Sequence, residues 1–355
     1  VTAEKFPETG VKWGTYVPGI FGVHPFLNRE MLNLPHFLSL TPYVDGEKLD
    51  MQRSQISDYR RALDLRTAVL RRSLTWTTQS GAVVRVLFER FVSAAHPTVC
   101  VQRMTLEANT TAAVRIVSRI DTDVRTSGYD FFEDIALEAG DGTLACRVTT
   151  TDHDAVDIAG VMLGGAAWQA SQDSRQVKLE TTLRPDPGAP LVIEKRCAVT
   201  TSRDLVKQSA ADALDRIAAQ SYDALLAQHA AIWEKHWEKA DIAIDGDPMS
   251  QLAVRVAIYH LLRVRVDDPR VAVDAKGYAG DAYFGRFFWD TEMYLLPFYL
   301  YTEPTHARRL VEYRIQSLDG ARRNARRYGY PGARYAWEAD DRGDESCPSW
   351  QYSDH

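Results

Sequence analysis

The feature that most constrains this chain is a change in its hydrophobic periodicity near Ser209. Before that residue, short runs such as Val83–Val92 and 98–106 alternate between apolar and polar side chains, which is the pattern of strands with two distinct faces. After it, apolar residues recur at spacings of three and four, the period of an amphipathic helix. The sequence therefore predicts a β domain followed by helices.

Turn signals separate the alternating runs in the first two hundred residues. Each of the candidate turns contains residues that tolerate positive φ and can close a hairpin: Asp45-Gly46, Ser80-Gly81 and Asp141-Gly142. Further strands are predicted at 63–71 and 191–200. Many short strands without intervening helices favour two packed antiparallel sheets. We therefore predict an antiparallel β-sandwich over residues 1–205.

The rest of the chain has the pattern of helices. The Ala-rich segment 206–247 predicts a helical linker of two amphipathic helices separated near Ser221, and Asp247-Pro248 forms an N-cap and first helical residue. Three further helices are predicted, over 291–301, 305–318 and 320–328. About four helices in residues 248–355 are too few to complete an all-α domain, so we expect that domain to continue in a longer polypeptide.

Composition excludes several classes of protein. Of 355 residues, 45% are hydrophobic and 25% are charged, a globular rather than a disordered mixture. A net charge of -6 disfavours a nucleic-acid or membrane-surface partner, and the chain lacks an apolar run of about 18 residues that would span a bilayer. The four cysteines are far apart, so we expect no metal site. These cysteines and the lack of a signal peptide predict a cytoplasmic protein, or a secreted one if the N-terminus was trimmed.

The strongest signal of a binding site is segment 277–301, in which ten aromatic residues are interleaved with Asp281, Arg286, Asp290 and Glu292. A sugar has an apolar face and a rim of hydroxyls, so its site needs an aromatic surface beside charged hydrogen-bonding groups. The adjacent pair Trp289-Asp290 supplies both. The alternative is that the aromatic residues form the core of a helical domain and that Asp290 is a helix N-cap.

A second aromatic-carboxylate pair, Trp337-Glu338, begins an acidic loop. The loop and the residues after it also contain Asp340, Asp341, Asp344, Glu345, Trp350, Tyr352 and Asp354. The alternative is an acidic loop exposed to solvent; a Ca²⁺ site is disfavoured because the EF-hand pattern is absent. If the two loops frame one cleft, both pairs contact a single sugar ring.

The order of these motifs resembles family 65 of the glycoside hydrolases. The shared blocks are FWDTE at 288–292, LLPFYLYTEP after it, Tyr313-Arg314, Gly320-Ala321-Arg322, Gly329-Tyr330 and Trp337-Glu338. This family contains the kojibiose, maltose, nigerose and trehalose phosphorylases and related α-glucoside hydrolases. The resemblance implies a β-sandwich, linker helices, a catalytic (α/α)6 barrel and a small C-terminal sheet. Residues 248–355 would then be the N-terminal portion of the barrel.

The resemblance also implies inverting cleavage of an α-glucosidic bond in a disaccharide or small glucoside. In this chemistry a Glu general acid protonates the glycosidic oxygen, while phosphate or an activated water attacks the opposite face of the sugar. The family's general acid lies in a later barrel segment, so no catalytic residue is assigned here. No cofactor is expected, apart from inorganic phosphate as co-substrate of a phosphorylase. The expected partners are a small carbohydrate, the remainder of the polypeptide and, since the family is often dimeric, a second copy.

The substrate-binding residues implied by the resemblance are Trp289 and Asp290 at the glucose, with Trp337 and Glu338 where two sugars meet. Arg286 replaces the His that family phosphorylases often have, and WEADDRGDE replaces the WESADTGEE of kojibiose-type members. Arg286 is a fifth candidate, because its guanidinium can pair with Asp290 or Glu338 or receive an anionic acceptor. The WE loop favours a phosphorylase of kojibiose type. Hydrolysis and a non-catalytic sugar-binding or structural protein are the alternatives.

Overall fold

The computed structural model describes residues 2–3, 14–26, 28–165, 167–280 and 282–347. Within them the chain is rich in β-strands up to Thr201, and helices follow from Ala210. The predicted change from strands to helices near Ser209 is therefore confirmed.

An eight-stranded antiparallel sheet forms one layer of the N-terminal part, as far as it is described. In spatial order its strands are β12 (Phe132–Ala139), β13 (Thr143–Thr150), β14 (Ala155–Leu163), β17 (Leu191–Thr201), β10 (Val99–Ala108), β9 (Val83–Val92), β8 (Val69–Thr77) and β7 (Gln55–Asp64). Along β14 every second side chain is buried, which is the alternation expected for a strand with one face in a core.

A five-stranded antiparallel sheet forms the opposing layer among the described residues. Its strands, in spatial order, are β15 (Gln169–Gln172), β16 (Gln176–Leu183), β11 (Val114–Asp121), β5 (His36–Val44) and β6 (Glu47–Lys48). Apolar side chains of both sheets, such as Ile116 and Met104, are fully buried in one common core. The two sheets therefore form the predicted antiparallel sandwich.

The hairpin turns behave as the sequence predicts, with one exception. Asp45-Gly46 joins β5 to β6, and both residues have positive φ, 49° and 87°. Ser80-Gly81 lies between β8 and β9, and Asp141-Gly142 between β12 and β13. The prediction of one strand over 63–71 is wrong, because a turn between β7 and β8 interrupts this segment. The Asp64 carboxylate accepts hydrogen bonds from the backbone N–H groups of Arg66, at 3.0 Å, and Thr67, at 3.3 Å, and so closes a hairpin.

Two short strand pairs precede the sandwich. β1 (Thr2–Ala3) pairs with β2 (Gly14–Thr15), and β3 (Phe21–His24) pairs with β4 (Asn28–Met31), both antiparallel. Side chains of this region pack against the helical part rather than inside the sandwich. Tyr16, Phe21 and Met31 share a buried cluster with residues after 263. The N-terminal segment therefore connects the two parts of the molecule.

Six α-helices follow in the described residues. They are α1 (Ala210–Asp215), α2 (Tyr222–Ala240), α3 (Pro248–Leu262), α4 (Leu296–Thr302), α5 (Pro304–Gln316) and α6 (Leu318–Arg327). Ser221 caps α2, because its Oγ accepts a hydrogen bond from Ala224 N at 3.1 Å. Asp247 caps α3 in the same way through Met249 N, at 3.0 Å, and Pro248 is the first helical residue. The linker break and this helix start are confirmed.

The helix predicted over 291–301 has an irregular beginning. Thr291–Leu295 is a π-helical turn, in which the Leu296 N–H bonds the Thr291 carbonyl, and regular α-helix begins only with α4. Pro297 has no backbone N–H to continue the ladder at this point. The other two predicted helices correspond to α5 and α6, with slightly different ends. None of the described helices has the length and hydropathy that crossing a bilayer requires.

Candidate functional site

A short antiparallel ribbon brings the two sequence-predicted segments together. Its strands are β18 (Phe287–Phe288) and β19 (Glu338–Ala339), with Phe288 directly opposite Glu338. Trp289 follows the first strand and Trp337 precedes the second. In an antiparallel pair these positions lie at the same end of the ribbon. The two aromatic-carboxylate pairs thus converge in the fold, although about fifty residues separate them in the chain.

The aromatic side chains of the site stand edge to face. The Trp337 and Phe288 rings have centroids 5.1 Å apart at 83°, and the Tyr283 ring meets Phe288 at 5.7 Å. Such edge-to-face contacts fix ring orientation as well as burying area. Phe288 is buried and Trp337 is partly buried, whereas Trp289 is 46% exposed. The Trp289 indole is therefore accessible for stacking against a ligand.

Asp290 is exposed and is not the helix cap considered from the sequence. It precedes the π-helical turn in a helical backbone conformation, and its side chain makes no capping hydrogen bond. Among the described residues its carboxylate has no hydrogen-bond or ion-pair partner. The N-cap interpretation of Asp290 is therefore wrong. Its carboxylate oxygens can accept hydrogen bonds from a ligand without first breaking a contact within these residues.

Arg286 lies beneath the site and pairs with Glu338. Arg286 is 1% exposed, and its Nη1 donates to Glu338 Oε1 at 2.6 Å and to the Ser346 carbonyl at 2.8 Å. Its Nε donates to the Arg29 carbonyl at 3.1 Å, and its guanidinium lies 4.7 Å from the Phe284 ring centroid. Of the partners considered for Arg286, the structure selects Glu338 rather than Asp290. Glu338 is itself only 7% exposed, so this pairing compensates a buried charge.

The backbone before Trp289 has an unusual conformation. Tyr283, Phe284 and Gly285 have successive φ values of 58°, 56° and 66°, in the left-handed region that side chains with a Cβ rarely adopt. Gly285 is further constrained, because a Cβ there would lie 2.3 Å from Met31 Cβ. The π-helical turn follows Asp290 directly. Strained backbone and π-helical turns both concentrate at functional sites, so Trp289-Asp290 is flanked by two such features.

Helix α5 stabilises both blocks of the site. Arg314 forms a two-pronged ion pair with Glu292, at 2.9 and 2.7 Å, and its Nη2 also donates to the Phe288 carbonyl at 3.2 Å. The Tyr313 hydroxyl donates to the Asp340 carbonyl at 2.8 Å. Adjacent residues of one helix therefore hold the two loops, which gives a physical role to the Tyr313-Arg314 block.

The acidic loop is largely buried, so the solvent-exposed interpretation is wrong for Asp340, Asp341 and Glu345. Asp340 Oδ1 accepts the backbone N–H groups of Arg342, at 2.8 Å, and Asp344, at 3.0 Å. Burial, with the neighbouring Asp341 charge, raises the pKa of Asp340 to about 6. In the part of the chain that is described, no group of three or more His, Cys, Asp or Glu side chains is arranged to hold a metal ion.

Helix α6 approaches this loop closely through Gly320. A Cβ at that position would lie 2.3 Å from the Arg342 carbonyl oxygen and 2.5 Å from the Gly343 carbonyl carbon. Only a residue without a side chain allows this contact. The Gly320-Ala321-Arg322 block therefore has a packing explanation.

A cleft of about 420 Å³, lined mainly by polar and charged residue types, opens between β4, α6 and the acidic loop. Asn28 and Arg29 line it from the N-terminal part, and Arg327, Asp340 and Glu345 line it from the helical part. Its lining includes neither Trp289 nor Asp290. The cleft therefore lies beside the ribbon site, at the junction of the two parts of the molecule.

Sequence reasoning did not identify Arg29 as part of this region. Its Nε donates to Asp341 Oδ1 at 2.8 Å, across 312 positions of the chain. No local pattern of residue types signals a contact over such a separation. Four residues considered from the sequence, Asp281, Trp350, Tyr352 and Asp354, lie outside the described residues.

Two family profiles match this chain. The first, "Glycosyl hydrolase family 65, N-terminal domain", covers residues 3–236. The second, "Glycosyl hydrolase family 65 central catalytic domain", covers residues 255–354. Together they account for nearly all of the sequence.

Among curated proteins, the kojibiose phosphorylase of Halothermothrix orenii is 32% identical and aligns with 95% of this chain and 46% of its own length. The 1,2-alpha-glucosylglycerol phosphorylase of Bacillus selenitireducens is 30% identical over 92% of the chain and 43% of its own. The maltose phosphorylase of Bacillus subtilis is 28% identical, and the alignment covers 95% of this chain and 48% of that protein. The chain thus spans about half the length of the curated relatives it matches.

A solved structure from the human microbiome, provisionally described as a kojibiose phosphorylase, superposes with a TM-score of 0.87 at 23% identity. The superposition covers 95% of this chain and 47% of the other. At this level of identity the likeness establishes the fold alone.

Proposed function

This chain belongs to glycosyl hydrolase family 65, and from that premise we propose that it forms part of an inverting phosphorylase. The substrate is an α-glucoside, either a disaccharide or a small glucoside, and inorganic phosphate is the nucleophile and co-substrate. No other cofactor takes part. The observation that carries the proposal is the pairing of Phe288 with Glu338, which places Trp289-Asp290 and Trp337-Glu338 at one end of a ribbon.

In this proposal each half of the ribbon contacts a different part of the substrate. The half-exposed Trp289 indole stacks on the apolar face of the glucosyl ring, and the Asp290 carboxylate accepts hydrogen bonds from two neighbouring hydroxyls. Trp337 and Glu338 lie where the glucosyl unit meets the acceptor. Arg286 acts on the substrate through Glu338, because its guanidinium is buried and donates to that carboxylate at 2.6 Å.

The reaction also needs a general acid and a phosphate site. A Glu of a later segment protonates the glycosidic oxygen as the bond to the glucosyl carbon breaks, and phosphate attacks that carbon from the opposite face. The product is β-glucose 1-phosphate, because one displacement inverts the anomeric centre. We place these groups in a further part of the polypeptide, since the curated relatives are about twice as long as this chain.

We further propose that α3 to α6 are the first helices of an (α/α)6 barrel that the remainder of the polypeptide completes. Several large apolar side chains of this region support the proposal because they are exposed: Met293, Tyr294, Leu300, Tyr301, Val311 and Ile315. Clustered exposed apolar side chains normally mark a surface that lies against another element. A cytoplasmic location and a homodimeric assembly complete the proposal.

The test is an assay of the complete polypeptide with kojibiose, maltose, nigerose, trehalose and glucosylglycerol, each with and without phosphate. Phosphorolysis yields β-glucose 1-phosphate only when phosphate is present. Release of free glucose at the same rate in phosphate-free buffer identifies a hydrolase instead. If no substrate is cleaved under either condition, a non-catalytic carbohydrate-binding or structural role replaces the proposal.

A further inference from the structure

Arg29 lies where the N-terminal part meets the helical part. It is 5% exposed in β4, and its guanidinium bridges two carboxylates of different regions. Its Nε contacts Asp341 Oδ1 at 2.8 Å, and its Nη2 contacts Asp152 Oδ2, in the turn between β13 and β14, at 2.6 Å. The side chain therefore ties the sandwich to the acidic loop.

The backbone of the same residue contacts the site by a second route. The Arg29 carbonyl accepts a hydrogen bond from Arg286 Nε at 3.1 Å, and Arg286 Nη1 donates to Glu338 Oε1 at 2.6 Å. The Arg29 guanidinium thus contacts Asp341, and the Arg29 carbonyl contacts Arg286, which holds Glu338. Glu338 is the residue that the proposed function places at the junction of the two sugars.

The loop between these two contacts is a hairpin closed by backbone hydrogen bonds. Ser346 N donates to the Glu338 carbonyl at 2.9 Å, and Ala339 forms a β-bridge with Glu345. Asp341 lies within this hairpin, three residues after Glu338. Asp341 Oδ2 also accepts a hydrogen bond from Arg203 Nη1 at 2.9 Å. Arg29 contacts the hairpin directly at Asp341 and is linked to Glu338 through Arg286.

We propose that Arg29 is a positioning residue for Glu338, and that the N-terminal domain sets the geometry of the sugar site through it. This inference rests on the proposed function for the role of Glu338, but not for the contacts themselves. Arg29 touches no reacting atom in this scheme. Its contribution is to hold the 338–346 hairpin at a fixed distance from the sandwich, so that the Glu338 carboxylate keeps one orientation.

The experiment compares Arg29→Gln and Arg29→Lys in the complete polypeptide. Arg29→Gln should lower kcat/KM for the preferred glucoside roughly 10- to 100-fold, the size expected when a reacting geometry shifts by about 1 Å. Arg29→Lys keeps the charge but not the two-pronged contact, so it should recover part of the loss. The change should fall in the same parameter, kcat or KM, that Glu338→Gln alters.

The matched control is Arg196→Gln. Arg196 is 3% exposed and also joins the sandwich to helical chain, through the carbonyls of Ile217 at 2.9 Å and Gln220 at 2.7 Å. Among the described residues, the partners of Arg196 do not include Glu338 or the residues that hold it. Arg196→Gln should therefore lower the midpoint of thermal unfolding but leave kcat/KM within about twofold of the wild type. If Arg29→Gln and Arg196→Gln impair activity only in proportion to their loss of stability, the positioning role is overturned.

A double-mutant cycle tests the route of the effect. In a Glu338→Gln background, Arg29→Gln should reduce kcat/KM by less than about twofold further, because the group that it positions is already altered. Equal fold-losses in both backgrounds would overturn the inference while leaving the phosphorylase proposal intact.

Hydrogen exchange separates this inference from the proposed function. Arg29→Gln should accelerate amide exchange in residues 338–346, including the Ser346 amide, more than Arg196→Gln does, whether or not the protein cleaves a glucoside. Unchanged exchange there would overturn the proposed link. Accelerated exchange in a protein without glycoside-cleaving activity would overturn the function and retain the link.

Discussion

At the scale of single residues, Asp290 has the properties of a ligand-binding carboxylate. It is exposed, it follows the accessible Trp289, and within the described chain its carboxylate is unpaired. The neighbouring Glu292 is instead held by Arg314 at 2.7 Å, and Glu338 by Arg286 at 2.6 Å. Glu292 and Glu338 are thus each paired with an arginine, whereas the Asp290 carboxylate has no such partner in the described chain and is available to a ligand.

Asp290→Asn in the complete polypeptide should lower kcat/KM by roughly 100-fold or more, about 3 kcal/mol, because a charged hydrogen bond to the sugar is lost. The thermal unfolding midpoint should stay close to that of the wild type. The control is Asp319→Asn, which alters an exposed carboxylate paired with Arg322 on α6. Near-normal kinetics of Asp290→Asn would remove Asp290 from the proposed site.

Asp274 is a different kind of carboxyl group, buried and only partly satisfied. Its Oδ1 accepts the Tyr278 backbone N–H at 2.5 Å, while its Oδ2 has no hydrogen-bond partner among the described residues. Burial raises its pKa from 3.8 to about 6. Because the folded-state pKa is raised, the protonated group stabilises the fold below about pH 4, and this contribution is lost as the pH rises through 6.

Asp274→Asn remains neutral at every pH and should therefore gain stability relative to the wild type as the pH rises from 4 to 7. The gain should not exceed about 3 kcal/mol, the equivalent of roughly two pKa units. Thermal unfolding midpoints of both proteins at pH 4.5 and pH 7.5 provide the measurement. A difference between the two proteins that is the same at both pH values would contradict the assigned titration.

At the scale of elements, the ribbon of β18 and β19 is too short to persist alone, since isolated two-stranded pairs are marginal even when longer. It depends on side chains from elsewhere: Arg314 on α5 holds the Phe288 carbonyl at 3.2 Å, and Arg286 joins Glu338 to Ser346. The site is therefore assembled by surrounding elements.

In the linker, by contrast, the start of helix α2 is determined by a neighbouring residue, its N-cap Ser221. Ser221→Ala removes the cap of α2 and should lower the free energy of unfolding by about 1 kcal/mol. Ser221→Asp, which retains an acceptor for the Ala224 N–H, should stay close to the wild type. Denaturant unfolding of the three proteins measures the difference. Equal stability of Ser221→Ala and Ser221→Asp would show that the cap contributes nothing.

At the scale of the whole molecule, the exposed apolar residues of the helical region determine how residues 1–355 behave in isolation. Two of them are largely uncovered, Tyr301 at 90% and Tyr294 at 67% exposure. We expect the isolated segment to be insoluble, or to remain bound to the rest of the polypeptide when both are co-expressed. Sedimentation and binding of an apolar dye report this directly. A monodisperse, cooperatively unfolding monomer would contradict the proposal that further chain covers these faces.

The sequence by itself determined features that depend on neighbouring residues. Hydrophobic period predicted the sandwich, the later helices and the break near Ser221. The Asp247-Pro248 pair predicted the start of α3, and the two aromatic-carboxylate pairs predicted that their loops would meet. Each signal operates within a few residues, because a backbone conformation, a cap or a buried face is specified over a turn or a strand. The turn after Asp64 was not predicted, because the apolar and polar residues continue to alternate through it. The Asp64 carboxylate nevertheless closes the turn by accepting the Arg66 and Thr67 N–H groups.

Only the tertiary structure decided which charges meet. The Asp290 side chain does not cap the helix that follows it, and Arg286 pairs with Glu338. Arg29, more than three hundred residues earlier in the chain, contacts Asp341. The identity of an acidic residue in the sequence does not show whether its carboxylate is exposed or buried. Its role depends on which arginine the packing of distant elements brings within 3 Å, because a buried charge is stable only beside its partner.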